Sequence, residues 1–148
     1  MITVKSDDRL AMTVLLQEGE LVEEACRRAL FEAGIRGKKD LLDGLTREGK
    51  SGVLARDKNG VLFHRSAPGQ FPSLDSGRLR KTVDYEVRGS LEMELGAGDS
   101  TEATKYAEYL EQGTSKMAPR PYVKPTIEKQ HTYFIADLAQ FTEELMGI

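Results

Sequence analysis

Apolar residues recur at three- and four-residue steps from Leu21 through Val22, Ala25, Cys26, Ala29, Leu30 and Ala33. That spacing gathers side chains on one face of a helix. Glu23, Glu24, Arg27, Arg28 and Glu32 fill the opposite face. Leu10, Val14 and Leu15 begin a weaker version of the stripe, and Leu41, Leu42 and Leu45 resume it before Gly49. The stripe reads as one long helix; glycine weakens a helix interior, so an interruption at Gly34 and Gly37 stays open as the alternative. Residues 1–50 therefore read as a helical region.

The period then changes. Val53-Leu54-Ala55-Arg56 and Val61-Leu62-Phe63-His64-Arg65 flank Asp57-Lys58-Asn59-Gly60. This predicts a hairpin whose Asn59-Gly60 turn exploits the tolerance of both residues for positive φ. Residues 66–76 hold Pro68, Gly69 and Pro72 and read as a loop. Asp75 or Ser76 is placed to cap a short helix through Arg78, Leu79 and Arg80. Val83-Asp84-Tyr85-Glu86-Val87-Arg88 and Leu91-Glu92-Met93-Glu94-Leu95 alternate strictly around Gly89-Ser90, the pattern of a second hairpin with one buried and one wet face. Residues 96–104 read as a loop and 104–112 as a short helix capped by Gly113. Pro119, Pro121 and Pro125 make 114–125 extended. A closing helix starts near Pro125 with Ile127, His131, Phe134, Ile135, Leu138, Phe141, Leu145 and Met146 as its stripe.

The sum is an α+β fold: an antiparallel sheet of two hairpins packed by a long N-terminal helix and a C-terminal helix. A chain of 148 residues fits one domain over 1–148, with sheet, prolyl loops and closing helix in 51–148.

Composition narrows the function classes. The chain is 39% hydrophobic and 30% charged, with a formal net charge of −3, which argues against a general coat for nucleic acid. No apolar run is long enough to span a bilayer, and Asp7, Asp8 and Arg9 stand where a signal peptide would be apolar, so synthesis in the cytoplasm is expected. One cysteine, Cys26, excludes an internal disulfide; its place on the buried stripe suits a small core side chain better than a reactive thiolate.

Candidate chemistry is sparse. His64 and His131 stand alone, without the cysteines or carboxylates of a metal site. Ser76 and Ser115 lack a nucleophile elbow, adjacency does not make Ser115 and Lys116 a dyad, and Gly96-Ala97-Gly98 is an incomplete dinucleotide motif. Glu92 and Glu94 share a strand face, which a solvated sheet surface explains better than a carboxylate pair does. No catalytic residue, metal or cofactor is expected. Arg78, Arg80 and Lys81 form a basic cluster beside the prolyl loop. A solvated helix end accounts for it; the alternatives are an acidic partner subunit or, for a small nucleic-acid-binding or regulatory module, a phosphate backbone.

Two segments are specific in combination. The first is Ser66-Ala67-Pro68-Gly69-Gln70-Phe71-Pro72 followed by Asp75-Ser76-Gly77-Arg78-Leu79-Arg80. The second is Tyr106-Ala107-Glu108-Tyr109-Leu110-Glu111-Gln112-Gly113-Thr114-Ser115-Lys116-Met117 followed by Arg120-Pro121-Tyr122-Val123-Lys124-Pro125. In order and spacing they resemble the small tail-component family of long-tailed bacteriophages and prophages, whose members are called neck, head–tail connector or tail-completion proteins. The resemblance runs from about Ser66 to the C-terminus. Ser76 stands where the family favours threonine, Gln112 where it favours an aromatic residue, and Tyr122-Val123 where it favours Phe-Leu.

The resemblance implies a structural virion protein at the head–tail junction or tail end, with no enzymatic activity. The implied partners are copies of itself in a ring, expected to be a hexamer, the tail tube protein, and a head-closure or adaptor protein. DNA would only pass through the lumen, and no membrane is involved. Expected subunit-interface residues are Arg78, Arg80, Tyr106, Tyr109, Glu111, Arg120, Tyr122 and Lys124. For Arg120 and Tyr122, holding the loop against their own sheet is an equal alternative. Asp84, Glu86, Glu92 and Glu94 are expected to line the lumen or face solvent. The loops at 66–76 and 96–104 are candidates for ordering on assembly.

Overall fold

The computed structural model describes residues 2–5, 19–75, 77–98 and 102–148. Strand β1 (Ile2–Lys5) is followed by helix α1 (Glu20–Gly44), strands β2 (Leu54–Arg56) and β3 (Leu62–His64), and the single-turn helix α2 (Arg78–Lys81). Strands β4 (Asp84–Arg88) and β5 (Glu92–Gly96) come next, then helices α3 (Glu102–Gln112) and α4 (Val123–Met146). The α+β class, both hairpins and the long helices form as the pattern predicts. The hairpins, however, lie in separate sheets: β1, β5 and β4 form one in the order β1-β5-β4, and β2 and β3 form the other.

β1 corrects the reading of residues 1–50 as helical. Ile2, Thr3 and Val4 include three β-branched residues, and the segment pairs antiparallel with β5, Ile2 opposite Leu95 and Lys5 opposite Glu92. Leu10, Val14 and Leu15 fall outside the described residues.

Helix α1 runs unbroken through Gly34 and Gly37, the long helix the stripe predicts without the alternative interruption. Both glycines are buried, and a Cβ at Gly34 would sit inside the space of the Tyr85 ring. At Gly37 it would lie 2.6 Å from Leu95 Cδ2. The absent side chains admit the sheet to the helix surface, and that packing outweighs their poor propensity. Cys26 is fully buried on the same face, as its stripe position predicts.

α1 and α4 lie antiparallel on the face of the three-stranded sheet that carries Tyr85, Val87, Met93 and Leu95. A polar seam joins the helices. Gln130, 2% exposed, accepts from Arg36 Nε (3.2 Å) and donates to Asp40 Oδ2 (2.7 Å). Lys129 pairs with Asp40 at 2.9 Å and Arg36 with Asp137. Each buried polar end thus finds a partner. On α4 the inward stripe is Val123, Thr126, Gln130, Phe134 and Leu138. His131, Ile135 and Met146, expected on that stripe, are exposed, because the inward face is rotated by one residue to take in Gln130.

Candidate functional site

The two segments that carry the family resemblance meet at one corner. Glu111, in the last turn of α3, turns its carboxylate onto the start of α4. Oε2 accepts the amides of Tyr122 (2.9 Å) and Val123 (3.0 Å), and Oε1 that of Lys124 (2.9 Å). These are the orphan donors of a helix N-terminus, so Glu111 acts as a cap delivered from another helix. Gly113, with φ 76°, turns the chain between them. Arg120 donates Nε to the carbonyl of Ser66 (3.1 Å) and its own amide to Leu110 (2.7 Å), and the amide of Gly69 donates to Pro119 (3.2 Å). Phe71 meets the Tyr122 ring edge-on at 6.5 Å. The loop at 66–75 is therefore held by hydrogen bonds within the chain.

This corner places three of the expected interface residues. Tyr122, expected at a subunit contact or against its own chain, is 1% exposed and belongs to its own core. Burial, with the Glu111 charge nearby, pushes its phenol well above the ordinary value of 10.0. Arg120, left open in the same way, bonds the carbonyls of Ser66 and Ala118 in its own chain. Glu111 spends both oxygens on the cap. Tyr106, Tyr109 and Lys124 are exposed, as are Arg78, Arg80 and Lys81 on α2, which touches α3. Asp75 does not cap α2: Gly77, at φ 75°, takes the N-cap position without a side-chain bond; Ser76 lies outside the described residues.

The polar sheet face carries Asp84, Glu86, Glu92 and Glu94 around Arg88. Arg88 pairs with Glu86 (2.8 Å) and Glu94 (3.0 Å), and Asp84 with Lys38 of α1 (3.0 Å). Asp84 and Glu86 are exposed, and Glu92 and Glu94 are partly covered. The Lys38 ammonium, followed by the Tyr85 amide, holds the Asp84 carboxyl below its ordinary range.

The β2–β3 hairpin forms a second feature, which the sequence did not single out as a surface. Its turn uses Gly60 at φ 78°; Asn59 keeps negative φ, contrary to expectation. Asp57 replaces the missing freedom, its Oδ1 accepting the amides of Asn59 (2.8 Å) and Val61 (3.0 Å). The Val61 amide and then Arg47 lower the Asp57 carboxyl below its ordinary range. Arg47 ties the hairpin down. It lies 4.4 Å from the Phe63 ring centroid, pairs with Asp57 (2.9 Å) and donates Nε to Leu74 O (2.7 Å). One hairpin face, with Ala55 opposite Phe63, turns inward. The other carries Leu54 opposite His64 and Arg56 opposite Leu62. Leu54 is 54% and Leu62 51% exposed. The signal was present in Val53-Leu54-Ala55 and Val61-Leu62-Phe63: apolar residues of both parities leave one set outside.

His64 is exposed with Nδ1 2.9 Å from Gly52 O, and His131 is exposed on α4. Among the described residues no group of three or more His, Cys, Asp or Glu could hold a metal, and no helix is long and apolar enough to cross a membrane. No protein-family model, curated protein or solved structure matches this chain.

Proposed function

We propose that the chain is a structural subunit of a tailed-phage or prophage virion, joining copies of itself into a ring at the head–tail junction or tail end. The observation that carries this reading is the corner built on Glu111. Residues 66–72 and 106–125, which bear the likeness to tail-completion proteins, hold one another through the Arg120–Ser66 and Gly69–Pro119 bonds and the Phe71–Tyr122 contact, and the three-amide cap closes the second segment on itself. They act as one structural unit, as shared architecture would require. A two-stranded hairpin with exposed leucines and a sheet whose borders no other described strand pairs also favour a subunit that is completed by association.

On this reading the partners are sister copies, the tail tube protein and a head-closure or adaptor protein. Arg78, Arg80, Tyr106, Tyr109 and Lys124 are the surface residues left for subunit contacts, and the carboxylates of the polar sheet face suit a lumen that DNA traverses without adhering. No catalytic step and no cofactor is assigned. The test is mass photometry and electron microscopy of the full chain, alone and with a tail tube protein. A discrete ring or stoichiometric complex is the expected result. A monomer that ignores the tube protein ends the reading. If that monomer binds duplex DNA with a steep salt dependence lost on Arg78→Glu, the basic cluster becomes the functional surface instead.

A further inference from the structure

Two unfinished surfaces of this molecule complement each other. The first is the border of the three-stranded sheet along β4. Among the described residues no strand pairs with the outer side of β4. Helix α1 passes under this border: Gly34 packs against Tyr85, and Lys38 reaches Asp84. Stepping round the helix from Gly34 and Lys38, Phe31 and Ile35 come next, beyond the last strand. They are 43% and 51% exposed, and Phe31 shares a groove with Val87 and Gly89. Among the described residues the sheet stops one strand short of covering its helix. A further strand beside β4 would lay its inward side chains on Phe31 and Ile35, as Tyr85 and Val87 lie on the rest of α1.

The second surface is the outer face of the β2–β3 hairpin, where Leu54 and Leu62 sit diagonally between Arg56 and His64. The charges match as well. Arg56, Lys58 and Arg65 are exposed on the hairpin, whose one carboxylate, Asp57, is paired with Arg47. The β4 border and the adjoining groove carry Asp84, Glu86, Glu20, Glu23 and Glu24. Arg27, Arg28, Lys38 and Arg88 offset part of that charge.

We infer that the hairpin of one copy docks along the β4 border of a second copy, Leu54 and Leu62 covering Phe31 and Ile35. The inference rests on the proposed self-assembly and names its two faces. The contact is heterologous, so copies related by a closing rotation form a ring in which every β4 border is covered.

Directed cross-linking tests it. Leu62→Cys and Ile35→Cys are made as separate full-length variants; the native Cys26 is buried and does not compete. The two are mixed in equal amounts at a concentration where the parent chain associates, with tail tube protein added if association requires it, and then oxidised. A disulfide-linked dimer in the mixture, and little in either variant alone, is expected. A dimer of Leu62→Cys with itself overturns the inference in favour of a symmetric contact, and no dimer in any sample overturns it outright. Mass photometry of the unmodified chain separates the two failures: rings without the mixed cross-link sink only the assigned faces, whereas a monomer under every condition sinks the self-assembly reading too. Arg56→Glu gives a second arm. It lies outside the core, so the fold should survive by circular dichroism while association weakens at least tenfold. Unchanged association in Arg56→Glu would count against the pairing.

Discussion

At Gly34 helix propensity and packing pull in opposite directions. Alanine is ordinarily better than glycine in a helix interior by about 1 kcal/mol. Here the added methyl would displace the Tyr85 ring, and overpacking of that kind costs about 1–3 kcal/mol. Gly34→Ala is therefore expected to lower stability by roughly 1 kcal/mol, read as a lower urea midpoint with an unchanged slope. Gly37→Ala meets the flexible tip of Leu95 and, at 3.3 Å, Gln130 Cγ, and should cost less than Gly34→Ala. A stabilised Gly34→Ala would refute the close approach. Tyr122 makes a different prediction. Its phenol is raised above 10.0 in the folded chain, chiefly by burial, so the unfolded chain gives up that proton first as pH rises. Stability should hold below the ordinary tyrosine range and fall above it, with Tyr122→Phe losing less than the parent between about pH 9 and about pH 11. Equal alkaline losses in the two proteins would contradict the assignment.

Elements were legible where a pattern repeats. The two-residue alternation of β4 and β5 and the three-to-four spacing of α1 are long enough to declare themselves. Three things were hidden. β1 has only four residues, and its strand state comes from pairing with β5, some ninety positions away in sequence. The continuity of α1 depends on Tyr85 and Leu95, which no window around Gly34 contains. The cap of α4 depends on Glu111, which precedes a proline-rich connection and looks like any surface carboxylate. Its role is testable: Glu111→Ala strands three amides at the start of α4 and should cost about 1–3 kcal/mol. Hydrogen exchange should show the amides of Tyr122, Val123 and Lys124 losing protection first. Glu111→Gln keeps one acceptor oxygen and should lose less. If the three amides exchange at parent rates in Glu111→Ala, the cap is not what holds the helix start.

For the whole molecule, the class and the long helices could be read in advance, but the division into two sheets could not. Alternation says which face of a strand is wet; it does not say which strand lies beside it. The hairpin's attachment rests on Arg47, a single cation reaching Phe63, Asp57 and Leu74 from the segment after α1, and no spacing rule anticipates it. If the basic hairpin meets the acidic border of a sister copy, association should weaken as salt rises from about 0.1 M to about 1 M, where the screening length falls from about 10 to about 3 Å. Insensitivity to salt would mean that the leucines act without the charges.

The chain's lone sulfhydryl, sealed in the core on the inward stripe of α1, gives the molecule a built-in clock. A thiol reagent can modify Cys26 only when the helix lifts away, so the labelling rate counts those openings. Free and assembled subunits could be timed without introducing any foreign probe. An assembly that braces α1 from outside would slow the clock in proportion to the stability it adds.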